Sequence, residues 1–300
     1  RTNFYDLSRI QLSNRTHFFN RGRIIFWKRY YRPINKEYNK ISTNTKKEII
    51  MKTSKEMIIS KFREIKGQEY IPSNRENNTG IGKTLEDYMD IEENNKALPD
   101  FEGYELKSHR SECNSYITLF TKSPNFPPRA NTYIINKFGC PYEENPNLKK
   151  LHTSMFATKF NTFNGRYSFR LIHDKEAEVL KIGVYDIHTK ELIDNSVGYT
   201  YSCLERKLHT KLKNLFYVTA KREYRKDGIE HFYYDKAEIY TNPSLNKFLD
   251  LVDRGLIMYD IRIGSYKSGK SLGKAHDHGS GFRILESNIK LLYAEREVIE

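Results

Sequence analysis

The sequence is poor in cysteine, has no long apolar run and has few acids at its start. Its 3 cysteines, Cys113, Cys140 and Cys203, are widely spaced and odd in number, and no CxxC occurs. That argues against a disulfide framework or a zinc ribbon, and it fits a reducing cytoplasm. No stretch approaches the ~18 apolar residues of a membrane span. The longest early apolar patch, "IIFW" at residues 24–27, is far shorter than a signal-peptide core. No internal repeat is visible. Residues 1–50 hold only 3 Asp/Glu against 12 Lys/Arg, so they carry +9 of the chain's net +13. The other 250 residues are nearly balanced, at +4. The total charge suggests a polyanionic partner, but local clusters must carry any nucleic-acid argument.

What is present is enough for a soluble core: 38% hydrophobic and 30% charged residues over 300 positions, room for one large domain or two ordinary ones. Residues 1–50, rich in Arg, Asn and Tyr, show no clean period. The first patterned element opens at Met51, where "KEMIISKFREI" sets Met57, Ile58, Ile59, Phe62 and Ile65 near helical spacing. The native domain is therefore expected to begin near Met51, with 1–50 an extension foreign to it.

Further along, "GIGKTLEDYMDI" predicts a short helix capped at Thr84. "PDFEGYELKSHR", residues 99–110, predicts a hairpin: a first arm to Phe101, a turn at Glu102-Gly103, then a strand. "YITLFTKSP" reads as a neighbouring strand, and "NTYIINKFG" as a helix ended by Gly139. After about residue 160 the texture turns to hairpins, with Asn164-Gly165 and Asp227-Gly228 as tight turns. Leu204, Leu208, Leu212 and Leu215 stripe a helix, Ser244 caps another that Gly255 stops, and "LIMYDIRI" is a strand before a Gly-, Lys- and His-rich loop over 264–281.

The hairpin carries the chemistry. In a strand, Glu105 and Lys107 are two apart and share a face, which His109 continues. Asp100 lies across the turn and can approach Glu105. Two carboxylates make a hard, oxygen-rich site suited to Mg²⁺. A lysine beside it can orient a water and neutralise charge developing on a phosphoryl group. Taken alone, D-x₄-E-x-K describes many solvated surface strands. Pro99, the turn and the acidic helix residue Glu86 upstream complete the pattern of PD-(D/E)xK nucleases.

The segment "GIGKTLEDYMDIEENNKALPDFEGYELKSHR", residues 80–110, closely resembles the catalytic segment of the MvaI/BcnI group of type II restriction endonucleases, which is related to the mismatch-repair nickase MutH. The resemblance runs from about Met51 to the C-terminus. It implies that Asp100 and Glu105 bind Mg²⁺, that Lys107 is the catalytic lysine and that Glu86 is the helix-borne accessory acid.

A rival pattern sits in the late loop. "GSYKSGKS" satisfies G-x₄-G-K-[ST] after an apolar strand, as a nucleotide-binding P-loop would. That mechanism needs a helix starting at the Lys-Ser, whose amides hold the phosphates. The following "LGKAHDHGSG" has three glycines in ten residues and almost no apolar period, so no such helix is expected. The loop makes better sense as a DNA reader. Asp260 and Arg262 alternate on the strand, and His276, Asp277, His278 and Arg283 follow. Arginine pairs bidentately with guanine, and a carboxylate accepts from cytosine N4. "DIR…HDHGSGFR" resembles the recognition lobe of the same group, which assigns base contacts to Asp260, Arg262, His276, His278 and Arg283. A chance histidine pair or a stray metal site is the plain alternative for His276 and His278. Residues 206–226 hold eight Lys/Arg and one acid, Glu223. Such a run is either a solvated face or a source of phosphate contacts, here Lys211, Lys213, Lys221 and Arg222.

The fold expected is α/β: a PD-(D/E)xK core with a mixed central sheet and flanking helices, plus a second, hairpin-rich DNA-recognition lobe. The division expected is a catalytic lobe over 51–165 and a recognition lobe over 166–300, whose C-terminal segment packs back on the first. The function expected is a cytoplasmic, monomeric, Mg²⁺-dependent restriction endonuclease acting on double-stranded DNA. The resemblance implies a short CC/GG-flanked site, and a cognate DNA methyltransferase is the expected functional partner. The rivals are a MutH-like nickase, a DNA-binding protein without catalysis and a P-loop ATPase.

Overall fold

The computed structural model describes residues 43–91, 99–101, 103–112, 114–226 and 228–300, with side chains from Thr53 onward. By its internal contacts the chain divides into Arg1–Thr53 and Ser54–Glu300. The described part of the first unit is the opening of a helix, α1 (Thr43–Lys66). The proposed N-terminal extension otherwise lies outside the described residues, as do Glu102, Cys113 and Asp227 of the expected turns and thiols.

The second unit alternates strands and helices in the order β1 (Tyr70–Pro72), α2 (Gly80–Tyr88), β2 (Glu105–Arg110), β3 (Tyr116–Thr121), α3 (Ala130–Phe138), β4 (Cys140–Pro141), β5 (Lys149–Met155), β6 (Tyr167–Asp174), β7 (Val179–Asp186), β8 (Leu192–Thr200), α4 (Tyr201–Lys211), β9 (Asn214–Tyr224), β10 (Glu230–Pro243), α5 (Leu245–Asp253), β11 (Ile257–Ser265), β12 (Ala275–Asp277), β13 (Gly281–Leu285) and β14 (Tyr293–Ile299). These strands make three sheets. The first is mixed, in the order β1-β10-β9-β2, with β14 also on β10. Its one parallel pair is β2 with β9, in the register Glu105↔Leu215 and Lys107↔Tyr217. The second runs β3-β13-β11-β5-β4, with β12 beside β11, and the third is the meander β6-β7-β8.

Both faces of the first sheet are covered, which is why β9 is apolar at successive positions, Leu215 to Val218. On one face, Ile58, Phe62 and Ile65 of α1 and Ile81 and Leu85 of α2 pack on Leu106, Phe216, Val218 and Phe232. The Phe62 and Phe216 rings meet edge to face, with centroids 5.9 Å apart. The other face, with Leu215, Tyr217 and Tyr240, joins the larger core built by α3, α4, α5 and the remaining sheets. This is the expected α/β class: a mixed sheet flanked by helices, with hairpins beside it.

Several local expectations are corrected. The helix expected to be capped at Thr84 starts at Gly80; Thr84 is buried inside it and accepts from the Asn74 N–H at 2.9 Å. The segment Tyr116–Thr121 does not neighbour β2 but pairs with β13 in another sheet. The partner of β2 comes instead from 104 or more residues downstream, across a parallel crossover that local adjacency cannot reveal. The leucine stripe outlives its helix: α4 ends at Lys211, Leu212 is its C-cap and Leu215 already lies in β9. All four leucines are buried, so the core selects them through two different backbones. Other signals read as expected. Ser244 accepts from the Lys247 N–H as the N-cap of α5, and Gly255 follows the helix at φ +69°. After β11 only a single 3₁₀ turn, Gly269–Ser271, precedes β12, so the P-loop mimic has no helix to hold phosphates. Sheet membership crosses the expected boundary at residue 165. β3 and β5 share a sheet with β11 and β13, and β9, β10 and β14 share one with β2.

Phe282 on β13 is the hub of the larger core. It is fully buried, with the Phe248, Tyr259, Tyr199 and Phe120 rings at 5.1, 5.1, 5.2 and 5.4 Å. Phe282→Ala is expected to cost ~3–5 kcal/mol of stability. Urea unfolding checks this: the midpoint should fall with the slope unchanged.

Candidate active site and nucleic-acid interface

Strand β2 begins one residue after a tight reversal. Phe101 and Tyr104 exchange backbone hydrogen bonds of 2.9 and 2.7 Å, which brings Asp100 back beside the strand. Its Oδ2 accepts from the Leu106 N–H at 3.1 Å, which fixes the carboxylate. Glu105, 2% exposed, lies on the face of the sheet opposite Leu106. Lys107 shares that face by strand period and donates to Glu105 Oε1 at 2.6 Å. A second lysine completes the cluster. Lys211, the last residue of α4, lies with Nζ 2.6 Å from Glu105 Oε2 and 3.3 Å from Asp100 Oδ1. Two carboxylates and two ammonium groups are thus gathered at one point.

Burial pushes the Glu105 carboxyl above its usual range, against the pull of Lys107 and with the help of the Asp100 charge. Burial opposes the Lys211 charge, but Glu105 and Asp100 outweigh it and hold the ammonium above its ordinary pKa. A divalent cation would suit this donor set. Asp100 and Glu105 are both within 3.3 Å of one existing cation. Glu105 Oε2 is buried, with the Lys211 ammonium 2.6 Å away, so a cation already sits at this oxygen. Among the described residues no cluster of three or more His, Cys, Asp or Glu side chains could hold a metal ion. Two carboxylates fit Mg²⁺, which keeps several waters and takes further ligands from a substrate phosphate.

Glu86 stands half-buried on α2, the helix packed on β2. His109 continues the β2 face but points inward. It is 5% exposed, its ring stacks on Tyr217, and neither ring nitrogen has a hydrogen-bond partner. Burial lowers its pKa and so favours the neutral ring.

The five residues expected to meet bases are gathered in the second sheet. Asp260 and Arg262 lie on β11, His276 on β12 and Arg283 on β13; His278, just past β12, donates its N–H to the Arg262 carbonyl at 2.8 Å. Asp260 Oδ2 accepts from Arg262 Nε at 2.6 Å and lies 2.9 Å from Arg283 Nε, while Oδ1 accepts from Ser154 at 2.9 Å. Asp260 is 5% exposed, so it sits beneath the arginines as their anchor rather than at the surface. Both arginines meet it through Nε. The His276 ring lies flat on Tyr266 at 4.2 Å and close to His278 at 4.3 Å. Gly264 permits this: a Cβ there would come within 2.5 Å of the Tyr142 hydroxyl and 2.8 Å of His278 Nε2.

The loop leading to β13 is shaped by Asp277. Its Oδ1 accepts from the Gly279 and Ser280 N–H groups at 3.0 and 2.7 Å, and its Oδ2 from Ser123 and Asn131 at 2.7 and 3.0 Å. Burial would raise its pKa, but these hydrogen bonds outweigh burial and lower it. A lowered carboxylate pKa adds stability above the unfolded value of ~3.9 and loses it as pH falls through the folded value. Thermal unfolding from pH 6 to pH 2 should therefore show a smaller acid loss in Asp277→Asn than in the unsubstituted protein. Parallel curves would remove Asp277 from the loop's support.

The basic run does not form one face. Lys211 is drawn into the carboxylate cluster and Lys213 is exposed between α4 and β9. Lys221 pairs with Asp235 at 3.0 Å, and Arg222 with Glu112 at 3.2 Å. Consecutive strand positions send these last two to opposite faces of the sheet. The sequence reading therefore missed Lys211 as part of the candidate active site, together with Ser154 and Tyr266 as supports of the base-reading set. For Lys211 the one available signal was its place at the end of a helix in a lysine-rich run.

A family model described as "MvaI/BcnI restriction endonuclease family" matches residues 59–293. The chain is similar to the solved structure of restriction endonuclease MvaI with cognate DNA substrate, with 34% identity and a TM-score of 0.72, over 82% of this chain and 98% of that one. It is also similar to MvaI in the absence of DNA, with 33% identity and a TM-score of 0.58 over the same shares. No curated protein matches the chain.

Proposed function

Because this chain belongs to the MvaI/BcnI restriction endonuclease family and is a DNA endonuclease, we propose that it cuts both strands of double-stranded DNA at a short CC/GG-flanked site, with Mg²⁺, leaving 5′-phosphate and 3′-hydroxyl ends. The observation that carries this reading is one cluster in which Lys107 contacts Glu105 and Lys211 contacts both Glu105 and Asp100. It holds what phosphodiester hydrolysis needs: oxygen donors for a hard cation, and ammonium groups for developing negative charge.

In this reading Asp100 and Glu105 hold the ion, and Glu86 is the accessory acid on the neighbouring helix. When bound, Mg²⁺ neutralises a phosphate oxygen and lowers the pKa of a water. Lys107 orients the attacking water and meets the charge that grows on the phosphoryl oxygens. The water oxygen bonds to phosphorus and gives up a proton to solvent as the bond to the 3′ oxygen breaks, and the departing oxygen takes up a proton from solvent. Arg262, Arg283, His276 and His278 read base edges from the second sheet, and Asp260 holds the arginines in place. Lys213, Lys221 and Arg222 meet phosphates and position the duplex. The enzyme acts as a monomer, and a cognate methyltransferase protects the same site in the host. We place the enzyme in the cytoplasm; no helix among the described residues is long and apolar enough to cross a membrane.

Incubating purified protein with Mg²⁺ and a plasmid of known sequence, then sequencing the ends, tests the reading. Discrete double-strand breaks with 5′-phosphates at one repeated sequence are expected. Nicks alone would move the assignment to a single-strand nickase.

A further inference from the structure

We propose that Lys211 is a resident counter-ion of the Asp100–Glu105 pair. It occupies the position of the divalent ion until that ion displaces it, and so it sets how tightly the ion binds. The proposal rests on the reading of those two carboxylates as the metal ligands.

The geometry separates the roles of the two lysines. Among the described residues Lys107 pairs with Glu105 Oε1 alone, at 2.6 Å, and reaches it along the same strand. Lys211 comes from another element and touches both carboxylates, at 2.6 Å on Glu105 Oε2 and 3.3 Å on Asp100 Oδ1. Bridging two carboxylates is what a chelated ion does. Magnesium sits ~2.0–2.1 Å from its oxygens, so an ion bridging the same two oxygens would overlap the ammonium. One cation must leave for the other to bind.

Lysine suits a temporary occupant. It carries a compact charge on a flexible four-carbon stem, without the fixed fork of arginine. Lys211 is the last residue of α4, with Leu212 as the C-cap, so its charge also benefits from the negative end of the helix dipole. Until the ion arrives, the ammonium offsets the repulsion between two carboxylates, one of them almost wholly buried. Once displaced, the same ammonium is free to meet a DNA phosphate, so ion binding and phosphate binding support each other.

The test is Mn²⁺ binding to the full-length, DNA-free protein, measured by calorimetry and by the paramagnetic resonance of free Mn²⁺. Four variants are compared with the unsubstituted chain. Lys211→Met removes the charge and keeps the length; its Kd should fall at least tenfold. Lys211→Gln, which keeps a polar head, should shift the same way and serves if the methionine variant does not fold. Arg206→Met, exposed on the same helix, should leave Kd unchanged, which separates displacement from a general loss of positive charge. Asp100→Asn should abolish binding. If Lys211→Met binds Mn²⁺ no tighter than the unsubstituted chain while Asp100→Asn loses it, the counter-ion role is overturned and the metal reading stands. An equal gain in Arg206→Met also overturns it. If Asp100→Asn binds Mn²⁺ unchanged, the metal reading fails and the proposal with it.

Discussion

Alanine at Lys107 is expected to slow DNA cleavage by about three powers of ten or more, while specific binding to the cognate duplex survives. Each tenfold loss corresponds to ~1.4 kcal/mol of transition-state stabilisation, and removing one well-placed donor to a developing anion costs ~10²–10³ in rate. Lys107 adds a full charge to that role. Its Nζ is held 2.6 Å from Glu105 Oε1, and its side chain is partly exposed. In the proposed reading the bases are met elsewhere, from β11 to β13, so binding has no reason to fall. Asp100→Ala and Glu105→Ala should lose cleavage as deeply, with a difference in stability. Glu105→Ala removes the carboxylate that both Lys107 and Lys211 contact, so its melting temperature should drop further than that of Lys107→Ala. Lys107→Arg should not restore the rate, because a planar fork does not replace a compact ammonium. Single-turnover cleavage with saturating Mg²⁺, beside binding titrations without metal, measures both halves. A Lys107→Ala rate within tenfold of the unsubstituted enzyme would remove this lysine from the chemistry.

The legible part of the site was the part close in sequence. Asp100, Glu105 and Lys107 span eight positions, and the two-residue period of a strand alone puts Glu105 and Lys107 on one face. The tight reversal between Phe101 and Tyr104 does the rest. Lys211 was not legible because it reaches the cluster from a helix end more than a hundred residues away, through the parallel pairing of β2 with β9. Local hydrophobic pattern does not encode which distant strand comes alongside. For the lysine-rich run, composition left a solvated face and a source of phosphate contacts both open. It could not show that the backbone changes from helix to strand at Leu212 and sends its cations to several places. The P-loop mimic was correctly set aside because glycines after the Lys-Ser deny a helix, a local effect that tertiary packing did not reverse. In the base-reading set, the alternation of Asp260 and Arg262 was visible. The burial of Asp260 was not, since it depends on Ser154 from β5 and Arg283 from β13 closing on it.

Asparagine at Asp260 is expected to damage recognition more than the loss of either arginine alone. One carboxylate oxygen serves both guanidinium groups, with Arg262 Nε at 2.6 Å and Arg283 Nε at 2.9 Å. Neutralising it removes the partner that fixes each arginine before DNA arrives, and the half-exposed Arg262 has the most freedom to regain. A bidentate arginine–guanine pair contributes ~1–3 kcal/mol of discrimination. Arg262→Ala and Arg283→Ala should each lose about that much on the cognate duplex and little on a scrambled one. Asp260→Asn should approach the sum of the two, ~2–6 kcal/mol on the same basis. The effects should then stop adding. Placed on top of the double arginine variant, Asp260→Asn should change cognate affinity by little more than ~0.5 kcal/mol, because its route to the bases runs through those two side chains. Lys213→Ala provides the contrast. A phosphate contact weakens cognate and scrambled binding alike and flattens the salt dependence by about one unit. Titrations against both duplexes at several salt concentrations resolve all of these. If Asp260→Asn weakens binding to the two duplexes equally, the arginines are backbone clamps and the second sheet loses its claim to read sequence. If it leaves cognate binding intact, the arginines are held by their own strands and the buried carboxylate serves folding alone.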